Sequence, residues 1–173
     1  MTRTDIHRPS AINPAEYEFV SWDYFGAYSG SIYFVAEQRS RFSAHREKTG
    51  GKFSDHSHGG NCYVCGATAQ YVCRYYHAPT NTYIQTGGDC AEKMDLGGTM
   101  GLNLFRKDVA FNRKGAELRE KASQILADDG LTAAWEIYSS TDRDSFKNEE
   151  EIITSIVAKL IKYGSISDKQ IAF

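Results

Sequence analysis

All four cysteines of this 173-residue chain lie between Cys62 and Cys90. Two form Cys62-x2-Cys65 with Gly66 behind them. Cys73 stands alone, and Cys90 follows Gly87-Gly88-Asp89. His56, His58 and His77 flank the set. The opening "MTRTDIHRPSAINPAEYEF" has no apolar h-region, and no apolar run nears the ~20 residues that span a bilayer. A reducing cytoplasm is the expected setting, with no membrane partner. There, grouped thiols are metal ligands more often than disulfides.

A C-x2-C turn delivers two thiolates to one ion, and Gly66 suits the unusual backbone such a turn needs. "QYVCRYYH" and "TYIQT" are β-branched and aromatic, and "APTN" between them signals a turn. Folding the hairpin about that turn sets His77 opposite Thr82 and Cys73 opposite Thr86. Cys90 then lies close to Ala69, beside the Cys62–Cys65 turn. "GGDCAEKM" enters a short helix, whose positive end favours the Cys90 thiolate. Three cysteines converge, and structural Zn2+ is the expected cofactor. Cys73 lies some four residues along the strand, roughly 13 Å away at ~3.3 Å per residue, and is expected to be a small core residue. For the fourth ligand the order of preference is His58, on a loop four residues before Cys62, then His77, then His56.

The rest of the chain is mostly helical in pattern. "YEFVSWDYFGAYSG" is an aromatic segment expected to cap the core. "SIYFVAEQRSRFSAHREKTGG" is a helix with Ile32, Val35, Arg39 and Phe42 near one face, stopped by Gly50-Gly51. "KFSDHSHGGN" is a loop. A long helix runs from Leu102 to about Asp128, with Leu102, Phe105, Val109, Ala116 and Leu118 as buried candidates. "LTAAWEIYSS" is a short helix. "NEEEIITSIVAKLIKYG" is an amphipathic one with Ile152, Ile153, Ile156, Val157, Leu160 and Ile161 as its stripe. Ser167 and Gln170 have capping-box spacing, and Ile166 and Ile171 that of a hydrophobic staple, so another helix is expected to begin there. It is short, which suggests a chain that continues or an end that packs on a partner. The fold class is α+β: a zinc-ribbon or treble-clef-like hairpin within a mainly helical domain. Its expected divisions are a loose 1–15, an aromatic and helical 16–55, a zinc hairpin 56–96 and a helical 99–173 packed on it.

The net charge is −2, so the chain is no polycation, but its charge is uneven. Residues 37–52 hold Arg39, Arg41, Arg46, Lys48 and Lys52 against two acids. Residues 106–121 hold Arg106, Lys107, Arg113, Lys114, Arg119 and Lys121 against three. Residues 128–151 hold eight acids against two cations. Solvated helix faces account for such runs, and so does a side that meets nucleic acid.

The pattern C-x2-C-G, Tyr71-Val72, His77-x-Pro79-Thr80-Asn81, Ile84 and Gly87-x2-Cys90-Ala91 resembles that of uncharacterised zinc-finger-like proteins of actinobacteria and their bacteriophages. The likeness extends upstream to "KTGGKFSDHSHGGN" and downstream to "AWEIY" and "KLIKYGSISDKQIAF". It implies Cys62, Cys65 and Cys90 as ligands and a replaceable Cys73. It also points to His77, against the flat-hairpin geometry, and to related chains that continue past Phe173. It implies a setting but no activity.

A redox C-x2-C is disfavoured because no βαβ pattern surrounds it. No cysteine carries a local nucleophile signature. A histidine–asparagine–histidine nuclease is suggested by Asp55-His56 and Asn61, but the later metal-binding residue is missing after the cysteine pair. The leading expectation is a non-enzymatic, zinc-stabilised module that binds nucleic acid, in phage or mobile-element DNA metabolism. Arg74, Arg106, Lys107, Arg113 and Lys114 would meet the nucleic acid, with the aromatics of "RYYH" available for stacking. The alternative is a factor docking on a host or phage protein, and the third reading a metal-dependent nuclease.

Overall fold

A computed structural model describes residues 12–28, 32–140, 148–165 and 167. The fold is α+β and its sheet holds four strands. These are β1 (Tyr17–Tyr24), β2 (Lys52–Phe53), β3 (Tyr71–His77) and β4 (Thr82–Gly87), in the order β1-β3-β4-β2. The helices are α1 (Tyr33–Thr49), α2 (Gly88–Lys93), α3 (Thr99–Asp128), α4 (Thr132–Ser140) and α5 (Asn148–Tyr163). The chain divides into two compact units, residues 1–112 and 113–173, so the boundary falls inside α3 rather than before residue 99. Among the described residues no helix is long and apolar enough to cross a membrane.

The first unit is built on the β3–β4 hairpin. Ala78–Thr80 form a 3-10 turn and Asn81 takes the left-handed conformation at φ 51° that asparagine tolerates. The register sets His77 opposite Thr82 and Cys73 opposite Thr86, as the turn position predicts. The hairpin is not a separate module, however. β1 pairs antiparallel with β3, and β2 pairs parallel with β4. The aromatic segment expected to cap the core is thus partly a strand.

Its alternation is broken by a bulge between Phe19 and Ser21. Past the bulge, Trp22 and Tyr24 share a face with Cys73 and Tyr71, while Asp23 lies on the other. On the first face Trp22 stacks near Phe105 of α3 and donates to the Gly98 carbonyl at 2.9 Å. Leu102, Phe105 and Val109 bury α3 there. On the opposite face Val20 and Tyr83 pack with Phe42 of α1.

Both faces are covered, so charge in the sheet must be paired inside. Asp23 is 1% exposed and Arg74 8%. The Arg74 guanidinium donates to the Asp23 carboxylate, and Arg39 Nε of α1 donates to its other oxygen at 2.8 Å. The Phe42 ring centroid lies 4.4 Å from Arg74 Cζ. Burial pulls the Arg74 pKa below its ordinary value, with Asp23 opposing that shift. Arg39 therefore belongs among the apolar positions of α1 because its head reaches Asp23.

At the start of the described chain, Ile12 is buried in the core and Asn13 caps Pro14–Glu16, so the expected loose stretch 1–15 is corrected at its end. Residues 1–11 lie outside the described residues. In the second unit, Ala122 and Leu126 of α3 pack with Val157 and Leu160 of α5, and with Trp135 and Tyr138 of α4. Ala116 and Leu118, expected to be buried, are only half-buried. The helix expected at Ser167 falls on residue 166 and residues 168–173, outside the described residues.

Replacing Asp23 by Asn should destabilise the fold by about 3–5 kcal/mol, because Arg74 would keep a buried charge with no counter-charge. Arg39→Gln should cost only about 1 kcal/mol or less, since Arg39 is nearly half exposed. Urea denaturation of the two variants checks this, and equal losses would refute the ranking.

Candidate metal centre

Three elements bring the sulfurs together. The Cys62–Cys65 turn is closed by Gly66 N–H donating to the Cys62 carbonyl at 2.8 Å, and by Cys62 N–H donating to the Ala67 carbonyl at 2.7 Å. Gly66 has φ 67°, a conformation that costs other residues strain. The turn is tied to β4 at Gln85. Tyr63 N–H donates to the Gln85 carbonyl at 2.7 Å, and the Gln85 side-chain amide donates to the Asn61 carbonyl at 3.2 Å. Two residues past Gln85 the strand ends, and α2 begins with Gly88 and carries Cys90 in its first turn. A Cβ at position 88 would stand 2.5 Å from Leu102 Cδ2 of α3, so any larger residue there would push the Leu102 side chain aside.

The Sγ atoms of Cys62, Cys65 and Cys90 lie within 4.8 Å of one another. Cys62 is 1% exposed and the other two are half-buried. Burial first, and then Cys62 and Cys65, push the Cys90 thiol up to about 12. Three thiolates this close repel one another unless a cation sits among them. A metal ion supplies that cation and reverses the acid–base preference of coordinating thiols. Donor type and separation thus fit a metal centre.

Cys73 is apart from this group. It is fully buried between Trp22 and Thr86 in the sheet register, and burial raises its thiol to about 11. It packs as an apolar residue.

None of the flanking histidines joins the three sulfurs, and among the described residues no aspartate or glutamate does either. His77 is held at the far end of the hairpin. Its Nδ1 lies 2.7 Å from Thr80 Oγ1, its Nε2 3.1 Å from Glu16 Oε2, and its ring stacks on Tyr17. Both ring nitrogens are engaged there, so the choice of His77 is corrected. His58, the preferred fourth ligand, is exposed in the loop before Asn61 and outside the sulfur group. The reason is local: its carbonyl accepts from Asn61 N–H at 3.0 Å, closing a turn that carries only the chain onward to Cys62. His56 is exposed as well.

The sulfurs open on a cleft also lined by Gln70, Tyr71, Asp89, Lys93 and Arg106. The Arg106 guanidinium lies 5.6 Å from the Tyr71 ring centroid. Lys93 is not among the residues that the sequence singles out, yet it is three residues after Cys90 on α2, and i,i+3 residues share a helix face. Gln85 is not among them either, and nothing in "TYIQT" distinguishes it from a solvent-facing polar residue.

Arg74 is the other correction. It is expected from the sequence to face nucleic acid, but it is sealed between α1 and the sheet and paired with Asp23. Its neighbour Tyr75 is fully buried and donates its hydroxyl to the Gly97 carbonyl at 2.8 Å. The stacking surface read from "RYYH" is absent for these two residues. Arg106, Lys107, Arg113 and Lys114 all lie on α3, with Lys107 and Lys114 exposed and the two arginines half-buried.

Comparison with known proteins finds no matching family model, no matching curated protein and no matching solved structure.

Serine at Cys62, Cys65 or Cys90 should abolish stoichiometric metal in the purified protein, while Cys73→Ser should retain it and be destabilised by about 1–3 kcal/mol from burying a hydroxyl. His77→Ala should also keep the metal. Elemental analysis reads all five variants. Metal kept by Cys90→Ser, or absent from Cys73→Ser or His77→Ala, would overturn the assignment.

Proposed function

We propose that the chain is a non-enzymatic module, stabilised by one zinc ion, that binds nucleic acid along α3. The observation that carries the zinc is the convergence of three cysteine sulfurs within 4.8 Å. Zinc–thiolate bonds of ~2.3 Å place tetrahedral sulfurs about 3.8 Å apart, so a small contraction of the triangle suffices. Zinc takes thiolates readily and has no redox chemistry of its own, which suits a structural role in a reducing compartment. Its binding energy would be folding energy for the loop that carries Cys62 and Cys65.

The nucleic-acid reading rests on α3. Arg106 and Lys107 belong to the first unit, and Arg113 and Lys114 to the second. Cations on a helix contact phosphates without reading sequence. Arg106 also borders the sulfur cleft beside Tyr71. The setting we favour, phage or mobile-element DNA metabolism, follows from the resemblance alone. A protein partner is the second reading, and a row of exposed apolar side chains on α3 favours it.

Glutamine at Arg106, Lys107, Arg113 and Lys114 together should weaken binding to mixed-sequence DNA or RNA. It should also flatten the salt dependence, by about 0.9 in the log–log slope for each duplex phosphate that is no longer neutralised. Fluorescence anisotropy over a salt series measures both. An unchanged slope, or no binding by the parent protein at low salt, would sink the nucleic-acid reading.

A further inference from the structure

Helix α3 buries Leu102, Phe105 and Val109 on the sheet, yet its outer side is also apolar. Met100 is 93% exposed, Leu104 65% and Phe111 79%. With Lys107 between them they follow a 4-3-4 spacing, which is the spacing of a coiled-coil seam. The row is about 17 Å long at 1.5 Å per residue. Single exposed apolar residues are ordinary, but a row along one helix face marks an interaction surface.

We propose that this row pairs with the same row of a second copy of the chain, the two α3 helices running antiparallel about a two-fold axis. A two-fold interface requires a surface that complements itself. With the axis level with the middle of the row, Met100 meets Phe111 of the second copy, and Leu104 meets its Lys107. Methionine sulfur against an aromatic ring is a favourable arrangement. The Lys107 stem covers leucine while its ammonium extends outward. Asp108 lies one turn beyond Leu104 on the same helix and is exposed. The Lys107 ammonium therefore comes beside Asp108 of the second copy, and symmetry makes the pair twice. A parallel pairing would instead set Lys107 against Lys107, so charge selects the antiparallel arrangement.

Four short layers make a small interface, under about 1,200 Å², of the transient class. For a transient pairing of that class, dissociation constants of roughly tens to hundreds of micromolar are expected. Lys107 belongs to this pairing and to the nucleic-acid reading alike, so the pairing is tested without nucleic acid.

Sedimentation equilibrium from about 5 μM to 1 mM should show the mass rising from 19.4 kDa toward twice that value. Phe111→Glu should weaken association at least tenfold. Lys107→Glu and Asp108→Lys should each weaken it several-fold, and the double variant should recover the parent's association within about twofold. All three positions are exposed, so the fold should survive, and circular dichroism verifies this. A parent protein that stays at 19.4 kDa throughout would overturn the pairing. So would a Phe111→Glu variant that associates like the parent. Failure of the double variant to recover would overturn the antiparallel arrangement.

Discussion

The register of the β3–β4 hairpin is the constraint on which the first unit depends. With His77 opposite Thr82, each later pair follows at fixed intervals, and Gln85 falls opposite Arg74. Gln85 thereby lies where its backbone and side chain can grip the Asn61–Tyr63 segment. Two residues on, the strand releases into α2 and delivers Cys90 to the same place. A slip of one residue would turn Gln85 to the other face and detach the Cys62–Cys65 turn. The grouping of the three sulfurs is therefore set by strand pairing first and by the positions of the cysteines second.

That hairpin is buried on both sides, which explains the pairing of Asp23 with two arginines. A sheet with one wet face could leave Arg74 in water. Here α1 covers that face, and the guanidinium must be neutralised where it lies. Asp23 does so from β1, and the bulge at Phe19–Ser21 is what aims it, since without the extra residue Asp23 would point at α3. Arg39 then satisfies the second carboxylate oxygen from outside. The pairing is local in space and remote in sequence, with Asp23 and Arg74 standing 51 positions apart.

That remoteness is why some features were legible in the sequence and others were not. The hairpin register, α1, α2, α4 and α5 rest on signals within a few residues: a turn, a glycine stop, a 3.6-residue stripe. The convergence of Cys62, Cys65 and Cys90 follows from the same register. The β1 strand was hidden because a bulge and two buried faces erase its alternation. Arg74 looked like a surface cation because its partner is on another strand. His77 was drawn toward the metal by resemblance, whereas the hairpin geometry had already set it at the far end, where Glu16 and Thr80 hold it.

Cys73 and Cys90 show how position decides the use of one side chain. Both thiols are raised by burial, to about 11 and about 12. Cys73 is enclosed by Trp22 and Thr86 and meets no other sulfur, so the neutral thiol is its stable form and it serves as filler. Cys90 has the same tendency to stay neutral but faces two more sulfurs at a cleft that solvent reaches. Residues 54–70, which carry Cys62 and Cys65, form no strand or helix beyond one bridge, Asn61 to Thr68. Local turns and single bonds to Tyr83 and Gln85 of β4 hold this segment, rather than a continuous ladder. A cation shared by three thiolates would fasten the segment to α2 at the point where the backbone ladder gives out. The sheet face under α1 is fastened differently, by apolar packing of Phe42, Tyr83 and Val20 and by the pairing of Asp23 with Arg74 and Arg39.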